Sequence, residues 1–368
     1  MEKIIIFGYG LAFKNLIKFN EKEMAYLDIT EVWDNDINKQ GMVIEIGGKK
    51  IIVTEPHKIS KGTKIYISSK KYEDDIKLDL SNRLGVTNEC YVDNWILYEG
   101  IKQCIIKKYR DSQNDAIKSI INYLRQNSLY YFFGGLKERY LGKEAEITIY
   151  EDNKTKLLYS YWNGKKMYMK RGYSKYQAQR YINSLLMEQD DMSPHYYGHA
   201  NFDYSDKDIL VDIGAAEGFF ALDHIDKVKK VILIEGDSEW LEALHATFNE
   251  YGDKVEIINK YIASYDDDRH VSLDSFKETI TIIKMDIEGA EMEALSGAAD
   301  TLKNDNLKIV ACSYHRENDD LNIAKILLDN GFLVKYSPGY MYWGTLQQGE
   351  HNADLRHGLV IGCKNNEM

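Results

Sequence analysis

The chain has 368 residues, a formal net charge of -11, 44% hydrophobic residues and three prolines. This composition excludes collagen-like and proline-rich proteins and argues against a disordered chain. The length suffices for about two domains, and no apolar run reaches the roughly 18 residues that predict a membrane span. The four cysteines form no CxxC pair and show no metal-ligand spacing. We therefore expect a reduced, cytoplasmic protein without a structural metal.

Residues 1–95 alternate between strand and helix patterns, which predicts a small Rossmann-like α/β domain. The β-branched run at 4–6 leads into Gly8-x-Gly10-x-x-Phe13 and a helical pattern. Phe13 stands where a dinucleotide fingerprint has its third glycine. Two interpretations remain open. Either Asp34, at a later strand end, binds the ribose of a nucleotide or nucleotide sugar, or the domain is structural or docks a partner.

Residues 96–200 are predicted to connect two lobes through helices and a β-hairpin. A strand pattern at 147–150 begins an alternating region, and Asn163-Gly164 lies between two further strand patterns. This dipeptide is a strong hairpin signal because both turn positions need positive φ. Ser174, followed by Gln177, predicts the start of a helix with a capping box.

The connecting region contains a strongly basic segment. Residues 154–187 include eight lysines and arginines, Lys170 and Arg171 among them, and no acidic residue. Residues 101–200 carry 17 basic and 10 acidic residues (+7), whereas residues 201–368 carry 16 and 32 (-16). Tyrosines and a tryptophan are interleaved with the cations. Either this segment binds a phosphorylated or acidic acceptor through stacking and cations, or it is a small sheet with solvated lysines.

A buried strand pattern at 209–213 runs directly into the loop Gly214-Ala215-Ala216-Glu217-Gly218. The next strand ends in Glu235, 21 residues after Gly214. Open α/β sheets bind ribose-bearing cofactors at the carboxyl ends of their strands, where glycines admit the ligand and an acid accepts the ribose hydroxyls. This pattern predicts a cofactor site at that edge.

Two cofactors compete for such a site, a dinucleotide and S-adenosylmethionine. A pyrophosphate needs Gly-x-Gly-x-x-Gly at a helix N-terminus, whereas this loop reads Asp212-x-Gly214-x-x-x-Gly218 and contains Glu217. The two carboxylates would repel a pyrophosphate and attract the ammonium and sulfonium groups of S-adenosylmethionine. The sequence therefore favours S-adenosylmethionine.

The region around 205–335 resembles the FkbM family of methyltransferases. The resemblance rests on 211–215, on 271–275, on the Lys-x-Asp-x-Glu-Gly-Ala-Glu run at 284–291, and on His315 at a strand end. It implies a class I methyltransferase fold, a doubly wound and mostly parallel sheet, over residues 201–368. It also implies an S-adenosylmethionine-dependent enzyme that O-methylates a sugar, a nucleotide sugar or a glycoconjugate precursor.

The resemblance also implies roles for individual residues. Asp286 would lie near the transferred methyl group, and Glu235 would hold the ribose. The loop is atypical at Ala216-Glu217, where the family often has Asn. The cofactor-binding residues expected are Asp212, Gly214, Ala215, Glu217, Gly218, Glu235 and Asp286.

The candidate catalytic residues are His315, Asp286 and Glu288, since a positioned base can take the proton of an acceptor hydroxyl. His315 could equally be a structural histidine, and Glu288 could instead stabilise the start of a helix. The segment at 188–196 is similar to the lead-in of some family members and is expected to cover the acceptor. No metal is expected. The candidate acceptor-binding residues are His195, Tyr196, Arg316, Lys170 and Arg171.

Two other functions remain as alternatives. An RNA methyltransferase would use the basic segment, although the acidic net charge makes nucleic acid unlikely as a partner and the run after residue 285 lacks the Asn/Asp-Pro-Pro-aromatic sequence of base methylation. A nucleotide-sugar sensor would bind ligand without turnover. The expected partner is a glycan or sugar-nucleotide acceptor.

Overall fold

The computed structural model describes residues 3–19, 21–69, 72–92, 98–344 and 353–364. Their contacts group the chain into two compact units, Met1–Tyr131 with Trp343–Leu355, and Phe132–Tyr342 with Arg356–Met368. The division predicted from the sequence, at residues 95 and 200, remains a prediction. In the described ranges no helix combines the length and apolar composition that crossing a membrane requires.

The first unit contains a six-stranded sheet in the order β3-β4-β2-β1-β5-β6, and only the β3–β4 pair is antiparallel. The predicted Rossmann-like alternation is thus present, and the β3–β4 hairpin is an addition that the sequence did not predict. Strand β1 lies inside the sheet, and its run of buried isoleucines is typical of a parallel strand that is covered on both faces. The strands are β1 (Lys3–Phe7), β2 (Asp28–Trp33), β3 (Val43–Ile46), β4 (Lys49–Thr54), β5 (Lys64–Ile67) and β6 (Tyr91–Val92).

Asp34 follows β2 and holds the turn after β1. Its carboxylate accepts hydrogen bonds from the Tyr9 N–H (2.7 Å) and the Asp36 N–H (2.9 Å), and it pairs with Lys39 at 3.0 Å. These partners give Asp34 a structural role. The helices of this unit are α1 (Leu11–Phe19), α2 (Glu21–Met24), α3 (Glu73–Leu84), α4 (Glu99–Lys108) and α5 (Asp115–Leu124).

The second unit begins with a small antiparallel sheet between two helices, α6 (Leu136–Tyr140) and α7 (Lys175–Glu188). The predicted hairpin turn is confirmed, with φ of 47° at Asn163 and 81° at Gly164. The predicted capping box of α7 is also confirmed, because Ser174 and Gln177 exchange both hydrogen bonds. The predicted strand at 147–150 is wrong in its bounds, since only its last residue is a strand residue. The strands are β7 (Tyr150–Glu151), β8 (Leu158–Trp162) and β9 (Lys165–Tyr168).

The main sheet of the second unit has the order β12-β11-β10-β15-β16-β18-β17. The first five strands are parallel, and β18 is antiparallel to both of its neighbours. This confirms the expected doubly wound, mostly parallel sheet. The strands of this part of the chain are β10 (Ile209–Ile213), β11 (Lys230–Ile234), β12 (Val255–Ile258), β13 (Tyr261–Ile262), β14 (His270–Val271), β15 (Ile282–Met285), β16 (Lys308–Cys312), β17 (Leu333–Tyr336) and β18 (Leu359–Cys363).

Buried aliphatic side chains from the sheet and its helices form one continuous core. Strands β10 and β18 are buried along their whole length, and each buried Ile, Leu or Val contributes about 1.5–3 kcal/mol. The helix that begins at Glu291 ends at Ser296, and the next residue, Gly297, packs closely, because a Cβ there would lie 2.5 Å from the Ala263 carbonyl oxygen. The helices are α8 (Phe219–His224), α9 (Leu241–Phe248), α10 (Glu291–Ser296) and α11 (Asp319–Asp329).

Candidate active site

The carboxyl ends of β10, β11, β15 and β16 lie at one edge of the main sheet. Their register aligns Ile213 with Ile234 and Met285, and Met285 with Ala311. The strand order reverses between β10 and β15, and such a switch point opens a crevice for ligands. The loops that follow these four strands carry the predicted residues Gly214, Glu235, Asp286 and His315, which the fold therefore brings to the same edge.

The loop after β10 needs its two glycines for packing as well as for any ligand. Gly214 has φ of 69°, and a Cβ there would lie 1.9 Å from the Asp286 carbonyl oxygen. Gly218 has φ of 79°, and a Cβ there would lie 2.7 Å from the ring of Phe248. Between them Ala215 is buried and Ala216 has φ of 47°. The loop is consequently a tight turn held against the end of β15.

Glu235, at the end of β11, fixes the shape of this loop. Its Oε2 accepts a hydrogen bond from the Ala216 N–H at 2.8 Å, and its Oε1 accepts one from the Asp237 N–H at 2.7 Å. The side chain is nearly buried, at 8% exposure. A carboxylate can accept about four hydrogen bonds, so Glu235 retains capacity for the two hydroxyls of a ribose.

Lys284 in β15 is a functional residue that the sequence analysis missed. It lies opposite Asp212 in the register of β10 and β15, and its Nζ is 3.1 Å from Asp212 Oδ1. Nζ also donates to the Gly214 carbonyl at 2.8 Å. Both side chains are buried, and the second Asp212 oxygen accepts from the Ala221 N–H. Asp212 thus anchors the loop and α8 through an ion pair. The sequence signal that could have identified Lys284 is a lysine within an otherwise apolar strand.

Glu217 is buried at 3% exposure, and its carboxyl accepts a hydrogen bond from the Tyr181 hydroxyl on α7. Burial raises the pKa of Glu217 to about 7, against the lowering effect of the Tyr181 bond. Burial also raises the pKa of Asp212, against the lowering effect of Lys284. These two carboxylates therefore attract a cation less strongly than their formal charges imply, because the charge of Asp212 is paired with Lys284 and that of Glu217 is partly neutralised near pH 7.

Asp286, at the end of β15, supplies the negative charge at the centre of the site. Its Oδ2 accepts a hydrogen bond from the Tyr197 hydroxyl at 2.9 Å and lies 3.6 Å from His195 Nε2. Its Oδ1 lies 3.6 Å from His315 Nε2. Burial raises the pKa of Asp286, but His195, Lys284 and His315 outweigh that effect and hold the pKa well below its ordinary value. Asp286 is therefore ionised.

His315 is surrounded by carboxylates. Its Nδ1 is 2.9 Å from Glu291 Oε1, and its Nε2 is 3.6 Å from Glu288 Oε2. Burial lowers the pKa of His315, but the Glu291 hydrogen bond and the charge of Asp286 outweigh it, so the pKa lies above its ordinary value. Glu291 also accepts from the Ile287 N–H at the start of α10. The surrounding carboxylates thus stabilise the protonated form of the imidazole.

His195 lies in a buried group of polar side chains that the sequence did not predict. Its Nε2 is 3.2 Å from both the Cys312 sulfur and the Tyr314 hydroxyl, and its ring packs edge-on against Tyr197. The segment docks closely, because a Cβ on Gly358 would lie 2.2 Å from the carbonyl oxygen of Pro194, the residue before His195. No local sequence signal indicated Tyr197, Cys312 or Tyr314.

The remaining candidate acceptor residues lie around this group. Tyr196 is half-buried, and its ring fills the space where a Gly198 Cβ would stand. Arg316 is exposed, and its side chain covers Gly289, where a Cβ would lie 2.7 Å from Nε. Arg316 therefore lies beside Glu288, at the rim of the site.

Four of the eight cations of the basic segment form ion pairs with acidic residues of the same unit, namely Lys156, Lys165, Lys170 and Arg171. Lys170 forms an ion pair with Asp237 and lies over the Trp240 ring at 4.9 Å. Arg171 donates to Glu242 Oε2 at 2.6 Å, and Lys165 pairs with Asp226 at 2.6 Å. Ion pairs within the protein thus neutralise part of the positive charge of the basic segment, which favours a structural role for these cations.

Among the residues that the structure describes, two side-chain triplets have donor atoms close enough to hold a metal ion, and both include Asp286. One adds His195 and Cys312, and the other adds Glu291 and His315, with all donor atoms within 4.8 Å. Burial raises the pKa of the Cys312 thiol well above its ordinary value, whereas metals bind the thiolate. In the second triplet Glu291 is already hydrogen-bonded to His315. Hydrogen bonding thus accounts for both groups.

Comparison with known proteins identifies one part of the chain. Residues 213–334 match the model of the methyltransferase FkbM domain. No curated protein matches the chain.

Several solved structures are similar at low identity. The methyltransferase FkbM from Methylobacillus flagellatus KT shares 14% identity, with 98% of this chain and 90% of that chain covered and a TM-score of 0.40. A precorrin-6y C5,15-methyltransferase from Geobacter metallireducens shares 14%, covering 45% and 85%, with a TM-score of 0.32. An rRNA methylase from Streptococcus thermophilus shares 18%, covering 46% and 96%, with a TM-score of 0.32.

Such distant similarity carries no argument about substrate. The matched domain spans β11, β15, β16 and the segments that carry Glu235, Asp286 and His315. Residues 213–334 therefore match a methyltransferase domain, and the chain is a methyltransferase.

Proposed function

We propose that the protein transfers a methyl group from S-adenosylmethionine to a hydroxyl of a sugar, a nucleotide sugar or a glycoconjugate precursor. The observation that carries the proposal is the meeting of Glu235, the Gly214–Gly218 turn and Asp286 at the switch point of the sheet. Glu235 retains acceptor capacity for a ribose, and an ionised Asp286 suits a cationic ligand. The donor set fits this cofactor.

Separate sets of residues would bind the cofactor and position the acceptor. Asp212, Gly214, Ala215, Glu217 and Gly218 form the turn that would hold the methionine part, with Asp212 acting through its Lys284 pair. When bound, S-adenosylmethionine would supply an electrophilic methyl group. The protein then has to position the acceptor oxygen, exclude water and remove a proton.

The Asp286 group, which consists of Asp286, His195, Tyr197 and His315, provides the positioning and the exclusion of water. Tyr197 and His195 orient the Asp286 carboxylate from one side and His315 from the other. Glu288 and Arg316 lie at the rim, where an acceptor would enter. The buried His195, tied to Cys312 and Tyr314, keeps the wall of the site dry and rigid.

The cofactor assignment can be tested by calorimetry with S-adenosylhomocysteine. Glu235→Ala removes a charged acceptor, and losing such hydrogen bonds costs about 10- to 100-fold in affinity. Glu239→Ala is the matched control, because Glu239 is an exposed acid of the same segment. Unchanged affinity in Glu235→Ala, with native melting behaviour, would refute the site.

The acceptor class can be tested by mass spectrometry. Purified protein and S-adenosylmethionine are incubated with nucleotide-sugar and glycan extracts, and a gain of one methyl group is sought. Binding without such a gain would favour a nucleotide-sugar sensor. An RNA acceptor is disfavoured by the paired cations of the basic segment. Filter binding of RNA at two salt concentrations tests that alternative, since phosphate contacts weaken steeply with salt.

We also propose a cytoplasmic location, because the four cysteines, all in described segments, form no disulfide.

A further inference from the structure

Glu188 is the last residue of α7, and its carboxyl takes no part in the hydrogen bonds and ion pairs of the candidate active site. The residue is half-buried. Its carboxyl interacts electrostatically with His195, Asp286 and Glu288, and it also affects Tyr314. Glu188 therefore faces the same group of side chains as Asp286.

Contacts before and after Glu188 fix its position. Tyr181 lies seven residues earlier, on the same face of α7, and its hydroxyl binds Glu217 of the cofactor loop. Gln189 follows directly, and its amide group contacts the His195 ring at 3.3 Å and accepts from the Tyr197 N–H at 3.2 Å. The end of α7 is thus tied to the cofactor loop on one side and to the His195 segment on the other.

The Glu188 carboxyl lacks a protein partner. In the ranges that the structure describes, no hydrogen bond or ion pair reaches it, whereas Asp286 and Glu291 are both bonded. Because Glu188 is only half-buried, its carboxyl oxygens stay accessible to a ligand or to water. His195 lies within electrostatic range of Glu188, but no ion pair joins them. The unpaired carboxylate can therefore accept a hydrogen bond from a hydroxyl of a ligand.

The charges around Glu188 suit proton transfer near neutral pH. Burial raises the pKa of Glu188 to about 7, with His195 lowering it and Asp286 and Glu288 raising it. Tyr181 and Tyr314 are the other titratable groups that face it. A general base works best when its pKa is close to the operating pH. The pKa of His315 is raised by the Glu291 hydrogen bond and by the charge of Asp286 against the effect of burial, so its imidazole is less available as a base than an ordinary histidine.

We propose that the Glu188 carboxylate accepts the proton of the acceptor hydroxyl during methyl transfer. This inference rests on the proposed function. The acceptor oxygen forms a bond to the methyl carbon, the carbon–sulfur bond of the methyl donor breaks with its electron pair passing to sulfur, and the hydroxyl proton passes to Glu188. His315 then stabilises the ionised Asp286.

The test compares Glu188→Gln and Glu188→Asp with the wild-type protein. Release of S-adenosylhomocysteine is measured between pH 5.5 and 8.5 with saturating S-adenosylmethionine and the glycan and nucleotide-sugar extract. Calorimetry and thermal melting check that each variant binds the cofactor and folds. The matched control is Glu293→Gln, an exposed carboxylate of α10.

The wild-type rate should fall as the pH drops below about 7, because the base becomes protonated. Glu188→Gln should lose about 100-fold or more in kcat together with this pH dependence, with cofactor affinity unchanged. Glu188→Asp, which keeps a carboxylate, should retain the pH dependence at a lower rate. Glu293→Gln should match the wild type.

The outcomes separate the two proposals. If wild-type protein turns over and Glu188→Gln keeps more than about a third of kcat, the Glu188 assignment is overturned while the methyltransferase proposal stands. The assignment also fails if the pH dependence survives in Glu188→Gln and disappears in His315→Gln. If wild-type protein binds cofactor but methylates nothing in the extract, both proposals fall.

Discussion

Replacing Lys284 by methionine should destabilise the second unit, because it leaves a buried carboxylate without its cation. Lys284 Nζ lies 3.1 Å from Asp212 Oδ1, and the two side chains are only 4% and 1% exposed. The same ammonium donates to the Gly214 carbonyl. Methionine fills a similar volume, so the cavity left behind is small and the electrostatic loss dominates.

The size of the effect follows from this geometry. At an effective dielectric constant of about 20, unit charges 3.1 Å apart attract by about 5 kcal/mol. Breaking a buried pair by removing one partner costs about 3–5 kcal/mol, whereas replacing both partners is often nearly neutral. We therefore expect Lys284→Met to lower the free energy of unfolding by about 3–5 kcal/mol. The double variant Lys284→Met with Asp212→Asn should lose much less than the sum of the losses of the two single variants.

The pH dependence of the variant has a definite sign. Without Lys284 the folded-state pKa of Asp212 rises further, since burial already raises it. The unfolded chain then ionises Asp212 at lower pH than the folded protein does. Stability of Lys284→Met accordingly falls as pH rises through this interval, and the defect is larger at pH 8 than at pH 5.

The assay is hydrogen exchange of peptides covering 209–213 and 282–285 in increasing urea. Local exchange is preferred because two units need not unfold as one transition. With an m-value of about 3 kcal/mol/M, a loss of 3 kcal/mol shifts the midpoint by about 1 M. The buried ion pair would be refuted if the double variant lost as much unfolding free energy as the two single variants together. A loss below about 1 kcal/mol in Lys284→Met would also refute it.

Four further outcomes are expected. Gly214→Ala should cost about 2 kcal/mol or more and weaken S-adenosylhomocysteine binding in calorimetry, because its Cβ would lie 1.9 Å from the Asp286 carbonyl oxygen. Glu217, with a folded pKa raised to about 7, should make melting temperature fall as pH rises from about 4.5 to 7, and Glu217→Gln should flatten that slope. Lys170→Met and Arg171→Met should lower the melting temperature in a salt-dependent way and leave acceptor KM unchanged; a raised KM would restore an acceptor role. EDTA should leave turnover unchanged, and a loss recovered with Mg²⁺ or Zn²⁺ would place a metal at Asp286.

The strand ends of the site were predictable because their signals are local. An apolar run followed by glycines or acids indicates a buried strand and the loop after it, which placed Gly214, Glu235 and Asp286 at one edge. The capping box at Ser174 is local in the same way. The parallel sheet required only that these runs alternate with helices.

The interactions among these residues could not be predicted, because they depend on register and on long-range packing. Asp212 and Lys284 are 72 residues apart and meet only because β10 and β15 pair in one register. The same limit applies to His195 and Cys312, which come together across the sheet edge. Formal charge was also misleading, because burial partly neutralises Glu217 near pH 7 and the charge of Asp212 is paired with Lys284.

The antiparallel strand β18 has a consequence for the order of assembly. It lies between β16 and β17 but follows them in the chain, and Gly358, just before it, receives the Pro194–His195 segment. During synthesis β10, β15 and β16 therefore emerge well before the strand that covers the open edge of β16. Until then that edge can pair with other chains, and the His195 wall has no surface on which to dock. A nascent chain stalled before residue 358 should be prone to aggregation and unable to form the Asp286 group.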